Sequence, residues 1–255
     1  MTPDGTHEGD EERGSLAERS RGFLEYLDRW YSELPMLDVA AAVGDDPDAA
    51  AVFCIDMIRA FTTEGALSCS RNKALAEPIA ELLTDAYAAG VRNFVLPQDC
   101  HSHDAEEFKV YPPHAVAGSS ESATVPELAS LPFASTFTVM AKNSLNPAIG
   151  TDLEPWLEAH PQVRTAIVVG DCTDLCLYQL AMYLRLRANQ YDMRGYRVLV
   201  VASCVNTYST GVHHAQQLHV DPHPGTSTTT CSSTTCTATG SRCTRRPAED
   251  LAAAV

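Results

Sequence analysis

The sequence predicts an α/β protein: a three-layer α/β/α sandwich around a mainly parallel, doubly wound sheet. Three observations carry this. The short, continuous apolar runs "AVFCID" (51–56), "NFVLPQ" (93–98), "TFTVMA" (136–141), "TAIVVG" (165–170) and "YRVLVVA" (196–202) read as strands buried on both faces. Longer stretches with apolar residues at helical spacing separate them, so strand and helix alternate. A chain of 255 residues with 45% apolar content can bury one large core.

In order along the chain, residues 1–15 are polar and acidic and are expected to be disordered; they lack the basic-then-apolar pattern of a signal peptide. "SLAERSRGFLEYLDRWYSEL" then spaces Leu16, Phe23, Leu27 and Tyr31 at helical intervals, which starts a domain expected to run over 16–225. "KALAEPIAELLTDAYAAG" (73–90), "TDLEPWLEAH" (151–160) and "TDLCLYQLAMYLRLRANQ" (173–190) supply helices between strands. From Thr226 to Thr237 all twelve residues are Thr, Ser or Cys, an apolar-poor run that predicts no packed helix, so 226–255 is expected to be an atypical, disordered tail. Thr, Ser and Cys codons read one base earlier encode mainly Asp, His, Leu and Met types, so this run has the look of a frame-shifted His/Leu-rich helix.

A formal net charge of −15 repels phosphate backbones and anionic lipid, which argues against nucleic acid and membrane partners and for a small molecule. No stretch approaches the roughly 20 apolar residues of a membrane span, and a cytoplasmic location is expected. The nine cysteines are scattered rather than arranged as a dense framework, so free thiols are expected.

Parallel sheets place ligands beyond the carboxyl ends of their strands. Asp56 ends the first run, Lys142 follows the third, and "GDCTDLC" (170–176) follows the fourth. With Thr173 as N-cap, Cys176 falls in a helical first turn, where the dipole and a nearby Lys142 would favour thiolate. Each residue alone has an ordinary reading: a buried Cys is usually a small hydrophobe, an acid at a strand end a cap, a lysine a solvated charge. Together, "FCIDMIRAF", "VMAKNSLN" and "VVGDCTDLC" resemble the isochorismatase-like cysteine hydrolases from about residue 50 to about 225. The resemblance implies a triad of Asp56 as acid and base, Lys142 as electrostatic partner and Cys176 as nucleophile. It also implies a cis peptide before Cys172 and an oxyanion hole of the Cys172 and Cys176 N–H groups.

"QDCHSHDAEEFKVYPPH" (98–114) is rich in metal-ligand types suited to zinc, iron or manganese. Its irregular spacing leaves open a plain solvent-facing loop. "DCH" and "YPPH" are similar to the nicotinamidase branch of that family, and "GSSES" (118–122) falls where a Gly-Thr-rich segment is common there. The chain departs from one familiar version of the motif, which has a histidine where Ala105 stands. The resemblance implies one divalent transition metal on Asp99, His101, Glu107 and His114, with His103 as the substitute for Glu107, and aromatic walls from Phe61 and Tyr111. The implied activity is hydrolysis of nicotinamide to nicotinate and ammonia through a thioester on Cys176, a step of NAD salvage, in a chain that could form a homo-oligomer. The alternatives are a metal-independent amide hydrolase of the same superfamily, or a catalytically impaired relative with a binding role.

Overall fold

The computed structural model describes residues 14–246. In chain order it comprises α1 (Leu16–Ser32), α2 (Val39–Val43), β1 (Ala50–Ile55), α3 (Arg59–Thr62), α4 (Ser70–Lys73), α5 (Ala76–Ala88), β2 (Asn93–Asp99), α6 (Pro126–Ala129), β3 (Phe137–Lys142), α7 (Leu153–Ala159), β4 (Thr165–Asp171), α8 (Cys176–Gln190), β5 (Arg197–Asn206), α9 (Val212–Leu218), α10 (Gly225–Ala238) and β6 (Arg242–Thr244), with short 3₁₀ turns between. Residues 1–13 and 247–255, which hold most of the expected disordered N-terminus and the end of the expected tail, lie outside the described residues. The chain divides into two compact units between Leu34 and Pro35, later than the boundary the sequence suggested. In the first, Ser15 and Glu18 form a capping box that starts α1, each side chain bonding the other's backbone N–H.

All six strands are parallel, in the order β3-β2-β1-β4-β5-β6. The chain therefore winds outward from β1 to β3, then returns to lay β4 on the other side of β1, which makes the β1–β4 crevice the topological switch point. Alternation splits β1 between two cores. Ala50, Val52 and Cys54 pack with Ile79, Leu82 and Leu83 of α5, while Phe53 meets Trp156 of α7 edge-on at 5.7 Å. The five strands and four helices anticipated from the sequence are all present, and all nine cysteines are free thiols. Among the described residues no helix is long and apolar enough to cross a membrane. Gly170 is required where it stands: its φ is +115°, and a Cβ there would strike the Ile55 carbonyl oxygen of the neighbouring strand.

The Thr/Ser/Cys run differs from its expectation. Residues Gly225–Ala238 form α10, which packs on β5, β6 and α8, and β6 completes the sheet beyond it. Two physical features stand in for amphipathicity. Gly225, Thr229, Ser233 and Cys236 recur at helical spacing and form the buried face, small enough for close approach. Thr228, Thr230, Thr234, Thr235 and Thr237 each donate a hydroxyl to the carbonyl four residues back, which satisfies the polar groups inside the helix itself. The helix still carries poor intrinsic propensity. Replacing the exposed Thr226, Ser227 and Thr235 by Ala is expected to raise unfolding stability by about 0.5 kcal/mol per site, read as a rise in the urea midpoint at unchanged slope; no rise would mean that the back-bonded hydroxyls outweigh propensity.

Candidate active site

Five strand ends meet at the carboxyl edge of the sheet. β2–β3 register sets Asp99 beside Lys142, and Asp56 follows directly on β1. Asp56 has φ +56°, a left-handed backbone that non-glycine residues adopt rarely and Asp tolerates better than most. That twist is held by its N–H donating to the Pro97 carbonyl at 3.0 Å and by the Asp99 N–H donating to Asp56 Oδ1 at 2.8 Å. The other oxygen, Oδ2, meets Lys142 Nζ at 2.8 Å. The same ammonium donates to Asp99 Oδ1 and lies 3.4 Å from Cys176 Sγ. All four side chains are buried, and Asp56, Asp99 and Cys176 bring side-chain oxygen and sulfur atoms within 4.8 Å of one another.

The electrostatics correct one expectation and clarify another. Burial, with the carboxylates of Asp56 and Asp99, pushes the Cys176 thiol well up despite Lys142, so the resting group is a thiol rather than the thiolate a helix terminus was expected to favour. Burial and the neighbouring Asp99 push Asp56 up to about 6, near-neutral for a carboxyl, while Lys142 pulls the other way. Asp99 is buried too, yet the Lys142 ammonium holds it below the usual carboxylate range. Asp99 is thus the fixed anion of the group and Asp56 the one placed to exchange a proton with the thiol.

After β4 a cis peptide joins Asp171 to Cys172. Thr173 does not cap α8: its N–H donates to the Asn206 carbonyl, and the helix starts at Cys176 with Leu175 at the cap position and no side-chain cap. The N–H groups of Cys172 and Cys176 have no acceptor among the described residues, so both are open to a ligand oxygen.

Asp99, His101 and His114 offer ligand atoms that all lie within 4.8 Å of one another, and all three residues are buried. The backbone sets this: His101 N–H donates to the Ala115 carbonyl at 3.0 Å and Ala117 N–H returns a bond to the His101 carbonyl at 2.8 Å, clamping the two histidines side by side. Asn143 Oδ1 accepts from the Ser102 N–H at 3.1 Å and faces His101 Nδ1 at 3.2 Å, so that nitrogen carries the proton and Nε2 presents its lone pair. His114 Nδ1 faces the Pro112 carbonyl at 2.9 Å, with the same consequence. Asp99 Oδ2 and His101 Nε2 are buried without a hydrogen-bond partner, a costly arrangement that a small divalent cation would satisfy. Glu107 does not join the three ligands, although its charge is felt at His101, and His103 is exposed. Glu107 sits in a 3₁₀ turn, Glu106–Lys109, between the two histidines in the chain.

Phe61 packs 5.5 Å from the His114 ring and Tyr111 6.4 Å from it, so both expected aromatic residues border the site. Phe108, at 5.4 Å from His101 and 5.7 Å from His114, is an aromatic neighbour the sequence did not single out. Asn143 and Asp171 were missed as well. Asp171 is fully buried, and burial, then the Asp56 carboxylate, push it well above the usual carboxylate range.

Comparison with known proteins settles the family. The model of the Isochorismatase domain matches residues 50–232. The chain belongs to the isochorismatase family. Over 120 residues it is 30% identical to Nicotinamidase 1 of Arabidopsis thaliana, a match that covers 44% of this chain and 46% of that protein, so the aligned part spans about half the length of the relative. Its fold is similar to that of the nicotinamidase from Bacillus subtilis, with a TM-score of 0.58 and 22% identity over 77% of this chain and 99% of that one. It is similar to the same degree, TM-score 0.58 at 18% identity over 77% and 99%, to the pyrazinamidase of Pyrococcus horikoshii solved in complex with zinc. This isochorismatase-family chain therefore has the fold of a group that includes small-amide hydrolases.

Lys142 is the only buried ammonium among Asp56, Asp99 and Cys176 in the described site. Lys142→Met should leave buried carboxylate charge uncompensated and cost about 3–5 kcal/mol of unfolding stability, measured by denaturant melts; a loss below 1 kcal/mol, a value set by the exposed-pair range, would contradict this account.

Proposed function

We propose that the protein is a nicotinamidase, hydrolysing nicotinamide to nicotinate and ammonia through a thioester on Cys176. The observation that carries this reading is the meeting, in one buried cluster, of Cys176, Lys142 and Asp56 with Asp99, His101 and His114, all of it sharing Asp99. A hydrolase acting on a simple alkyl amide has no use for the second half of that arrangement.

In the first half-reaction Cys176 gives its proton to Asp56, and sulfur attacks the carboxamide carbon. The negative charge that forms on oxygen is taken by the Cys172 and Cys176 N–H groups, and preset donors of this kind are worth about 3 kcal/mol each. Asp56 passes its proton to the departing nitrogen, so ammonia leaves and the thioester remains. Asp56, now a carboxylate, accepts a proton from water, whose oxygen attacks the thioester; the acid is released and Cys176 regains its proton. Lys142 keeps Asp56 and the sulfur paired with a cation throughout.

Asp99, His101 and His114 would hold a divalent transition metal, zinc, iron or manganese, whose chemistry when bound is that of a Lewis acid with affinity for an aromatic ring nitrogen. Phe61 and Tyr111 would flank the ring. Supporting this reading are the two orphaned ligand atoms and the zinc named for the Pyrococcus horikoshii relative.

Ammonia release from nicotinamide tests the activity. Cys176→Ala should lower kcat by at least about a thousandfold while the protein still folds and holds its metal; a variant retaining a tenth of wild-type turnover would remove Cys176 as nucleophile. Metal analysis of protein purified without chelator should give one equivalent per chain, lost in the His101→Ala, His114→Ala double variant. Unchanged occupancy in that variant would place the metal elsewhere.

A further inference from the structure

Between the two open N–H groups of Cys172 and Cys176 the chain carries Asp174, an acid that the reaction sequence above does not use. A carboxylate there would oppose the negative charge that must form at the sulfur and at the acyl oxygen. Its effect reaches the neighbouring thiol, since Asp174 contributes to raising Cys172, after burial and Asp171. The structure places a partner on it from 49 residues along the chain: His223 Nε2 lies 2.8 Å from Asp174 Oδ2.

The ring of His223 is held from every side. Its Nδ1 faces the Tyr208 carbonyl at 2.8 Å, and its plane stacks on the Tyr208 ring at 3.9 Å and 14°. Its backbone N–H and C=O both pair with Thr210 at 2.8 Å. A carbonyl only accepts, so Nδ1 must donate to it. That leaves Nε2 facing the Asp174 carboxylate, and a hydrogen bond across this 2.8 Å gap is made by the ring that carries a proton on both nitrogens, the form in which the pair has no net charge.

We propose that His223 is a positioning residue which cancels the charge of Asp174 beside the nucleophile and fixes the Cys172–Cys176 loop. The proposal takes from the functional reading only that Cys176 is the reactive thiol; the identity of the amide does not enter. Without His223 the loop between the two donors would carry an uncompensated negative charge in a largely buried setting, where charges interact far more strongly than in water.

The test is the rate at which iodoacetamide alkylates Cys176, in which the thiolate forms a C–S bond and iodide leaves, followed by mass spectrometry alongside nicotinamide turnover. His223→Gln should slow Cys176 alkylation on the order of tenfold and lower kcat by a similar factor with KM little changed. Asp174→Asn combined with His223→Gln removes the charge as well as its partner and should restore most of both rates. A purely structural role, or a folding defect, would leave the double variant as slow as the single one. That result, or a His223→Gln alkylation rate within about twofold of wild type, overturns the proposal. If wild type hydrolyses no nicotinamide, the substrate assignment fails, while the alkylation comparison still decides the role of His223.

Discussion

The buried Lys142 ammonium is the constraint on which the rest of the site depends. Three acids, Asp56, Asp99 and Asp171, are packed out of water at one sheet edge, and Lys142 stands among them almost fully buried. Desolvated charges of one sign would drive such an edge apart, so the strand register that sets Lys142 against Asp99 and the left-handed turn that swings Asp56 back toward it are both conditions for folding. The charges divide unevenly. The Lys142 ammonium holds Asp99 below the usual carboxylate range, burial pushes Asp171 well above it, and Asp56 lies between. One cation thus creates a fixed anion suited to a metal and a titratable carboxyl suited to proton transfer within a single cluster.

Seen this way, the raised Cys176 thiol is a consequence of the cluster rather than a defect in it. A thiolate beside two carboxylates and one ammonium would leave the pocket with excess negative charge, so the resting proton stays on sulfur. The proton can leave when Asp56 accepts it, which transfers charge within the pocket without changing the total. Helix-dipole arguments that consider Cys176 and α8 alone miss this, because the first-turn advantage is small beside the effect of burying the group among carboxylates.

What could be read from the sequence follows from how local each signal is. Strands buried on both faces announce themselves as continuous apolar runs, and Asp56, Lys142 and Cys176 are legible because each stands just past one. His101 and His114 are legible by type, but their meeting depends on the backbone clamp through Ala115 and Ala117, which no spacing rule contains. Glu107 has the right chemistry, yet it sits in a 3₁₀ turn and its carboxylate is not among the ligand atoms that gather within 4.8 Å. Asn143 carries no motif of its own; its role appears only once Ser102 and His101 are seen to share its oxygen. Thr173 has the residue type of a cap, yet α8 starts only at Cys176, which puts Leu175 at the cap position.

The Thr/Ser/Cys helix shows where composition misleads. Absence of apolar residues rules out a conventional buried face, but not a close-packed one built from Gly225, Thr229, Ser233 and Cys236. Its beginning is tied to the site through chain geometry: Gly225 lies so near the Tyr208 carbonyl that a Cβ would come within 2.6 Å of it, and its N–H donates to Ser209 Oγ at 3.2 Å. Tyr208 in turn carries the His223 ring that faces Asp174. A helix of low intrinsic propensity is therefore coupled, through two aromatic rings and one ion pair, to the loop that carries the nucleophile. Weakening α10 should loosen the Cys172–Cys176 loop as well as the β5–β6 side of the sheet, because α10 packs on β5, β6 and α8 and its Thr229 hydroxyl meets that of Thr173 at 3.5 Å.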